Sequence, residues 1–234
     1  LGSDSLINAR IEGIYRHMMD SYRRTDNPDA LLLTNLDYLQ WKRRTDPGFR
    51  PYHAPEGRIG LTQDPYLGAL NKLIAENQSR DICAEVYLLK AQEAVNAGVP
   101  ASGLQLCDEA ISRYPAYHRI NALRELKQDI LSPDFTVQTP SAVYPGEEFD
   151  LKVSFKNLKS FAVQLYAINL PVRPNAVEVP DETFLKKHGR LLSSVHYVLF
   201  PSGDYKMQDS IFHMKAPETG LYALRIVPDA EVRS

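Results

Sequence analysis

Histidines and cysteines are the side chains best suited to hold a metal or attack a substrate, and here their spacing prepares neither task. His17, His53, His118, His188, His196 and His213 stand apart along the chain. None has a second imidazole three or four residues away, the spacing that sets two ligands on one helical face. Asp108-Glu109 and Glu147-Glu148 are adjacent carboxylates. Neighbours in sequence point apart on a helix or strand, so these read as solvated faces rather than an acid–base pair. No Gly-x-Ser-x-Gly elbow and no phosphate-cradling glycine loop occurs, and Pro201-Ser202-Gly203-Asp204 reads as a hairpin turn. Lys186-Lys187-His188 reads as a solvated basic run. The expectation is a chain with no catalytic residues, no metal, no cofactor and no enzymatic activity.

Cys83 and Cys107 are the two cysteines. Both fall on one predicted helical hairpin that turns near Gly98-Val99-Pro100. Opposite Cys107 lies a position near Ala91, which leaves Cys83 roughly 12 Å out of register at the rise of an α-helix, beyond the reach of a disulfide. Two separate thiols are expected, with Cys107 buried as a small apolar side chain.

The 234 residues carry 44% hydrophobic and 24% charged side chains and a net charge of −2, an ordinary balance with material for two cores. No basic excess draws the chain to nucleic acid, and no apolar run is long enough to span a bilayer. No secretory signal precedes Leu1, and the chain reads as a piece trimmed from something longer.

The elements that must position any site change rhythm at Leu131-Ser132-Pro133-Asp134. Before that point apolar residues recur every three or four positions; after it they alternate. Ser3 or Asp4 caps a first helix striped by Leu6, Ile7, Ile11, Ile14, Met18 and Tyr22. Asn27-Pro28-Asp29 restarts a second helix that runs through Trp41. From Thr45 to Asp64 the pattern breaks at Pro47, Gly48, Pro51, Pro55, Gly57 and Gly60. Loops of about twenty residues are functional or insertions. Phe49, Arg50, Tyr52 and His53 at its tip form a candidate binding loop; alternatively Phe49 and Tyr52 staple the loop to the helices.

Helices resume at Asp64-Pro65, and Ala84 to Tyr117 fits one tetratricopeptide-like unit. Tyr87 holds the large aromatic position, with Ala91, Gly103 and Ala110 small where paired helices touch. Lys90 and Ala94 stand where that pattern usually has Leu and Tyr, which makes this a degenerate copy. A last helix runs from His118 to Leu131. A stacked array either offers a concave face to a peptide or braces its neighbour. A groove lined by Trp41, Tyr87 and the Phe49–His53 loop favours the receptor reading, for a peptide or a carbohydrate; a smooth polar surface favours bracing.

In the second half Phe149, Leu151, Val153 and Phe155 alternate with polar residues, and Phe161, Val163 and Leu165 follow after a turn at Asn157-Leu158-Lys159. Phe135 to Thr139 reads as an edge strand, with further strands at 195–200, 205–215 and 221–227. Asp181 to Lys187 reads as a helical turn. Six or seven short antiparallel strands at this spacing imply an immunoglobulin-like sandwich.

Two stretches resemble bacterial alpha-2-macroglobulin-like proteins of the Bacteroides type. The first runs through Tyr114-Pro115, Asn121-Ala122-Leu123, Ile130-Leu131-Ser132-Pro133, Tyr144-Pro145-Gly146-Glu147 and Val153-Ser154-Phe155-Lys156-Asn157. It is similar to the family's passage from helices into a macroglobulin-type sandwich. The second, Pro201 to Tyr205 and then Ala216-Pro217-Glu218-Thr219-Gly220-Leu221-Tyr222, resembles the family's closing hairpin. The resemblance implies a periplasmic or outer-envelope location, a lipid anchor on a removed N-terminus, and a parent that traps or inhibits proteases. Neither Cys83-Ala84-Glu85 nor Cys107-Asp108-Glu109 supplies the family's thioester motif.

The expected architecture is therefore α plus β as two domains. A tetratricopeptide-like helical array occupies 1–132, and an immunoglobulin- or macroglobulin-like antiparallel β-sandwich occupies 133–234. The expected role is a structural and protein-interaction module. Its partners would be the other domains of its parent and a protease or peptide, with no nucleic acid and no membrane contact. Ile130-Leu131 and Pro133 predict a semi-rigid junction, which limited proteolysis at 131–135 would test.

Overall fold

A computed structural model describes residues 2–49, 64–169 and 181–230, without the side chains of residues 2–4. The chain is α plus β and divides into two compact units, Leu1–Ile130 and Leu131–Ser234.

The first unit contains α1 (Gly2–Arg24), α2 (Pro28–Thr45), α3 (Pro65–Asn77), α4 (Ala84–Asn96), α5 (Pro100–Arg113) and most of α6 (Ile120–Leu131). Local chemistry sets its starts and stops. Asn27 caps α2, its Oδ1 accepting from the Ala30 N–H at 3.2 Å. Asp64 caps α3, accepting from the Tyr66 N–H at 2.9 Å, and proline takes the first helical position in both. Gly98, at φ +75°, turns the chain between α4 and α5, where a side chain would strain the backbone. α2 runs past Trp41 to Thr45, since nothing before Pro47 stops it.

The core of this unit joins Leu32, Leu36 and Leu39 of α2, Tyr66, Leu70 and Ile74 of α3, and Val86, Tyr87 and Ala91 of α4 to Cys107 and Ala110 of α5. Both thiols are free and fully buried. The α4–α5 seam depends on small residues. A Cβ added at Gly103 would lie 2.9 Å from Val95 Cγ2 and 3.1 Å from the Ala91 carbonyl oxygen.

α1 departs from its predicted stripe. Leu6, Ile7, Ile14 and Met18 are 68%, 53%, 59% and 37% exposed, while Met19 is buried. Ile11 and Tyr22 of the stripe are half-buried, and toward α2 Glu12 accepts from Tyr38 while the Tyr15 ring lies 5.4 Å from Tyr38 and 5.9 Å from Trp41.

The second unit holds two three-stranded antiparallel sheets. Its strands are β1 (Asp134–Gln138), β2 (Glu148–Lys156), β3 (Ser160–Ile168), β4 (Gly189–Val198), β5 (Gln208–Lys215) and β6 (Tyr222–Pro228). The sheet orders are β1-β2-β5 and β4-β3-β6. A short helix, α7 (Glu182–His188), precedes β4. The alternation in β2 and β3 turns Leu151, Val153, Phe155, Phe161 and Val163 into one shared core. Phe161 meets Phe135 of β1 and Phe212 of β5, each at 5.2 Å between ring centroids, which packs the sheets face to face. Tyr197 of β4 lies 4.7 Å from Phe212, so β4 covers β5. Glu148 stands across from Lys215 and Asp134 from Lys156, pairs of opposite charge, and Asp150 stands across from His213 at 3.0 Å between Oδ1 and Nδ1.

Candidate functional site

The side chains that could receive a ligand in the helical unit lie one step around from the core stripes. α2 buries Leu32, Leu36 and Leu39. Leu31, Asn35 and Tyr38, at the same spacing and rotated by one residue, are left half-covered. α3 buries Tyr66, Leu70 and Ile74 and leaves Ala69 and Leu73 half-covered in the same way. Between the two helices these residues form an open groove of about 470 Å³, with Arg23, Lys72 and Glu76 on its rim. Its floor is aliphatic. Its polar content is modest: Asn35 Nδ2 donates to the Leu31 carbonyl at 2.8 Å and Asn77 Nδ2 to the Leu73 carbonyl at 2.9 Å. Each amide thereby offers its oxygen to an incoming N–H.

One wall of the groove ends in an aromatic cluster. Tyr15, Tyr38 and Trp41 stand 5.4–5.9 Å apart by ring centroid. Tyr38 donates to Glu12 Oε1 at 2.9 Å, and Glu12 also pairs with Arg16 at 2.8 Å. Burial first, and then the Glu12 carboxylate, push the Tyr38 hydroxyl above its ordinary range. The Tyr38 hydrogen bond, followed by that of Arg16, lowers the Glu12 carboxyl. Tyr38 and Trp41 stack at 25° between ring planes, and the Lys42 ammonium lies 5.8 Å from the Tyr38 ring centre.

The predicted site residues separate. Trp41 is half-buried in the aromatic cluster beside the groove. Phe49 ends a short 3-10 turn, Pro47–Phe49, and packs against the helical core with the Lys42 ammonium 4.5 Å from its ring centre. Arg50, Tyr52 and His53 lie outside the described residues. Tyr87 is a correction: it is 2% exposed and lines no open face. It packs 6.0 Å from Tyr114 and donates to Glu109 Oε1 at 2.5 Å, because its helix buries that side against α5. Lys90 and Ala94 line a second, smaller groove of about 340 Å³ with Glu109 and Leu67.

The most connected polar group of the unit was not singled out from sequence. Arg43 Nη1 donates to the Phe49 carbonyl at 2.7 Å and to both Asp64 oxygens at 2.8 Å, and Nη2 reaches Glu93 at 3.1 Å. The guanidinium also lies 4.6 Å over the Tyr66 ring. The Asp64 side chain is 2% exposed, so this is a buried, fully engaged network. It ties α2, the 47–49 turn, α3 and α4 together. Its partners stand 21 and 50 residues from Arg43, distances at which no periodicity signals contact.

Among the described residues no group of three or more His, Cys, Asp or Glu is arranged to hold a metal ion, and no helix is long and apolar enough to cross a membrane.

No protein-family model matches the chain, and no curated protein matches it. Among solved structures, Pseudomonas fluorescens alkylpurine DNA glycosylase AlkC, bound to DNA containing an abasic site analog, matches over 91% of this chain and 71% of its own. The identity is 12% and the TM-score 0.23. That protein is a glycosylase, an enzyme, and the expectation that this chain lacks enzymatic activity is set against it and carried no further. A likeness of this size argues for no fold and no chemistry.

Proposed function

We propose that the chain is a protein-interaction module whose helical unit, a tetratricopeptide-like array, receives an apolar peptide segment in the groove between α2 and α3. The observation that carries this reading is the aliphatic floor of Leu31, Ala69 and Leu73, open to solvent under a charged rim. Apolar concave sites with a few placed polar groups are where ligands bind. The Asn35 and Asn77 oxygens are suited to a peptide's N–H groups. A peptide is favoured over a carbohydrate because the groove floor is aliphatic and offers few polar partners to hydroxyl groups. The array reading draws on the antiparallel α4–α5 pair and its small residues Ala91, Gly103 and Ala110. The sheet orders are compatible with an immunoglobulin- or macroglobulin-like sandwich. In this reading the chain belongs to the envelope-located, alpha-2-macroglobulin-like parent implied by its sequence motifs, and the groove serves that parent's capture of proteases or the docking of its other domains.

The test is selection of a displayed peptide library against the chain, with Ala69→Arg as counter-selector. Arginine is a good helix former and fills the groove from a half-exposed position. Recovered peptides should bind the unaltered chain in the micromolar range and the variant about tenfold or more weakly. Peptides that bind both equally would overturn the reading.

A further inference from the structure

Lys90 is a half-covered cation that faces no carboxylate among the described residues. The other half-covered cations of the helical unit are all paired. Lys42 stands 3.2 Å from Asp46, Arg43 2.8 Å from Asp64, Arg80 2.7 Å from Asp29 and Lys127 2.5 Å from Asp108. A charge partly withdrawn from water needs a partner, and each of these has one. The Lys90 ammonium has no ion pair and no hydrogen bond among the described residues. Arg10, Arg24 and Arg44 also lack an ion pair there, but they are exposed and water solvates them.

Lys90 lines the groove of about 340 Å³ that α3, α4 and α5 form together. Leu67 and Asn71 lie one turn apart on α3, and Lys90 and Ala94 one turn apart on α4. Leu67, Ala94 and Leu106 give the groove an aliphatic lining. The side chains of Asn71, Ser102 and Gln105 make no hydrogen bond among the described residues, so their donors are open. Glu109 is the carboxylate of the lining, and it is engaged. Its Oε1 accepts from Tyr87 at 2.5 Å and lies 3.3 Å from Arg113. The groove therefore combines an uncompensated positive charge, open neutral donors and an apolar wall.

We infer that this groove binds a carboxylate carried on a short apolar chain. Lys90 is its counter-ion, the Asn71, Ser102 and Gln105 side chains donate to it, and the apolar body lies against Leu67, Ala94 and Leu106. A charge-assisted hydrogen bond is stronger than a neutral one, and a half-covered site screens it less than open water does. Charge selects this class of ligand. A phosphate monoester brings roughly two negative charges, against which the groove sets a single open cation. A free amino acid brings an ammonium that needs an anion, and the Glu109 charge is already balanced by Arg113. A neutral sugar leaves Lys90 without a counter-ion. A free aliphatic acid and the last residue of a polypeptide both offer the required chemistry. No residue of this lining belongs to the α2–α3 groove, so the two sites are independent.

The probes are isocaproate and N-acetyl-leucine, each beside its own primary amide, titrated into the isotope-labelled intact chain and followed by backbone amide NMR shifts. Both acids should move the amides around Lys90 and Gln105 and leave those of Leu31 and Ala69 in place. Each neutral amide should bind about tenfold or more weakly than its acid. Lys90→Met should weaken the acids about tenfold, and Lys90→Arg, which keeps the charge, should stay within about threefold of the unaltered chain. The tighter acid names the source: isocaproate a free acid, N-acetyl-leucine a chain end. Four results would overturn the inference: no shift from either acid at about 20 mM, equal binding of acid and amide, shifts centred on the α2–α3 groove, or acid binding unchanged in Lys90→Met.

Discussion

Cys107 and Tyr87 face each other's helices in a core with no room for charge. Burial, joined by the nearby Asp108 carboxylate, pushes the Cys107 thiol up to about 11. Burial and the Glu109 hydrogen bond push the Tyr87 hydroxyl up to about 12. In the unfolded chain these groups ionise at about 8.5 and about 10. A raised folded-state value means that the unfolded state loses its proton first. The contribution is fully present below the unfolded value and is lost as pH rises through the folded one. Stability of the helical unit should therefore be flat through neutral pH, decline from about 8.5 and continue falling toward 12. Denaturant melts at a series of pH values check this, and a helical unit that gained stability between pH 9 and 11 would contradict it. Cys83 is raised in the same direction, by burial first.

At the scale of elements, Arg43 is the point on which α2, α3 and α4 converge. Arg43→Met keeps an unbranched side chain at this position but removes the guanidinium from over Tyr66 and leaves the buried Asp64 carboxylate without its cation. Breaking a buried pair from one side costs about 3–5 kcal/mol, so the variant should show a correspondingly lower denaturation midpoint. A loss under about 1 kcal/mol would mean that water already reaches Asp64. Most helices and strands are legible from the chain, although β4 begins at Gly189, six residues before the strand expected from Val195. The start of α3 was read from Asp64-Pro65, and β2 from the alternation of Phe149 to Phe155. The candidate site was mostly not legible. Periodicity reports which residues face inward, and the groove is lined by the stripe beside that one. Tyr87 was placed on an open face because aromatic size alone does not tell a seam from a surface. The exposed stripe of α1 misled for a related reason: apolar spacing marks a face that wants cover without saying that α2 supplies it.

At the scale of the molecule, two cores of different construction are built from separate stretches of the chain, one by helices through Ile130 and one by strands from Leu131. The α2–α3 groove of the first unit is open, and in the second β6 ends its sheet among the described residues. The Arg43 contacts have a consequence for how the first unit tolerates change. Phe49 and Asp64 are held by the same nitrogen, so the two ends of the intervening stretch are pinned together from within the helical core. Both anchors would come loose together if that nitrogen were lost, so the effect of Arg43→Met reaches the 47–49 turn as well as the start of α3.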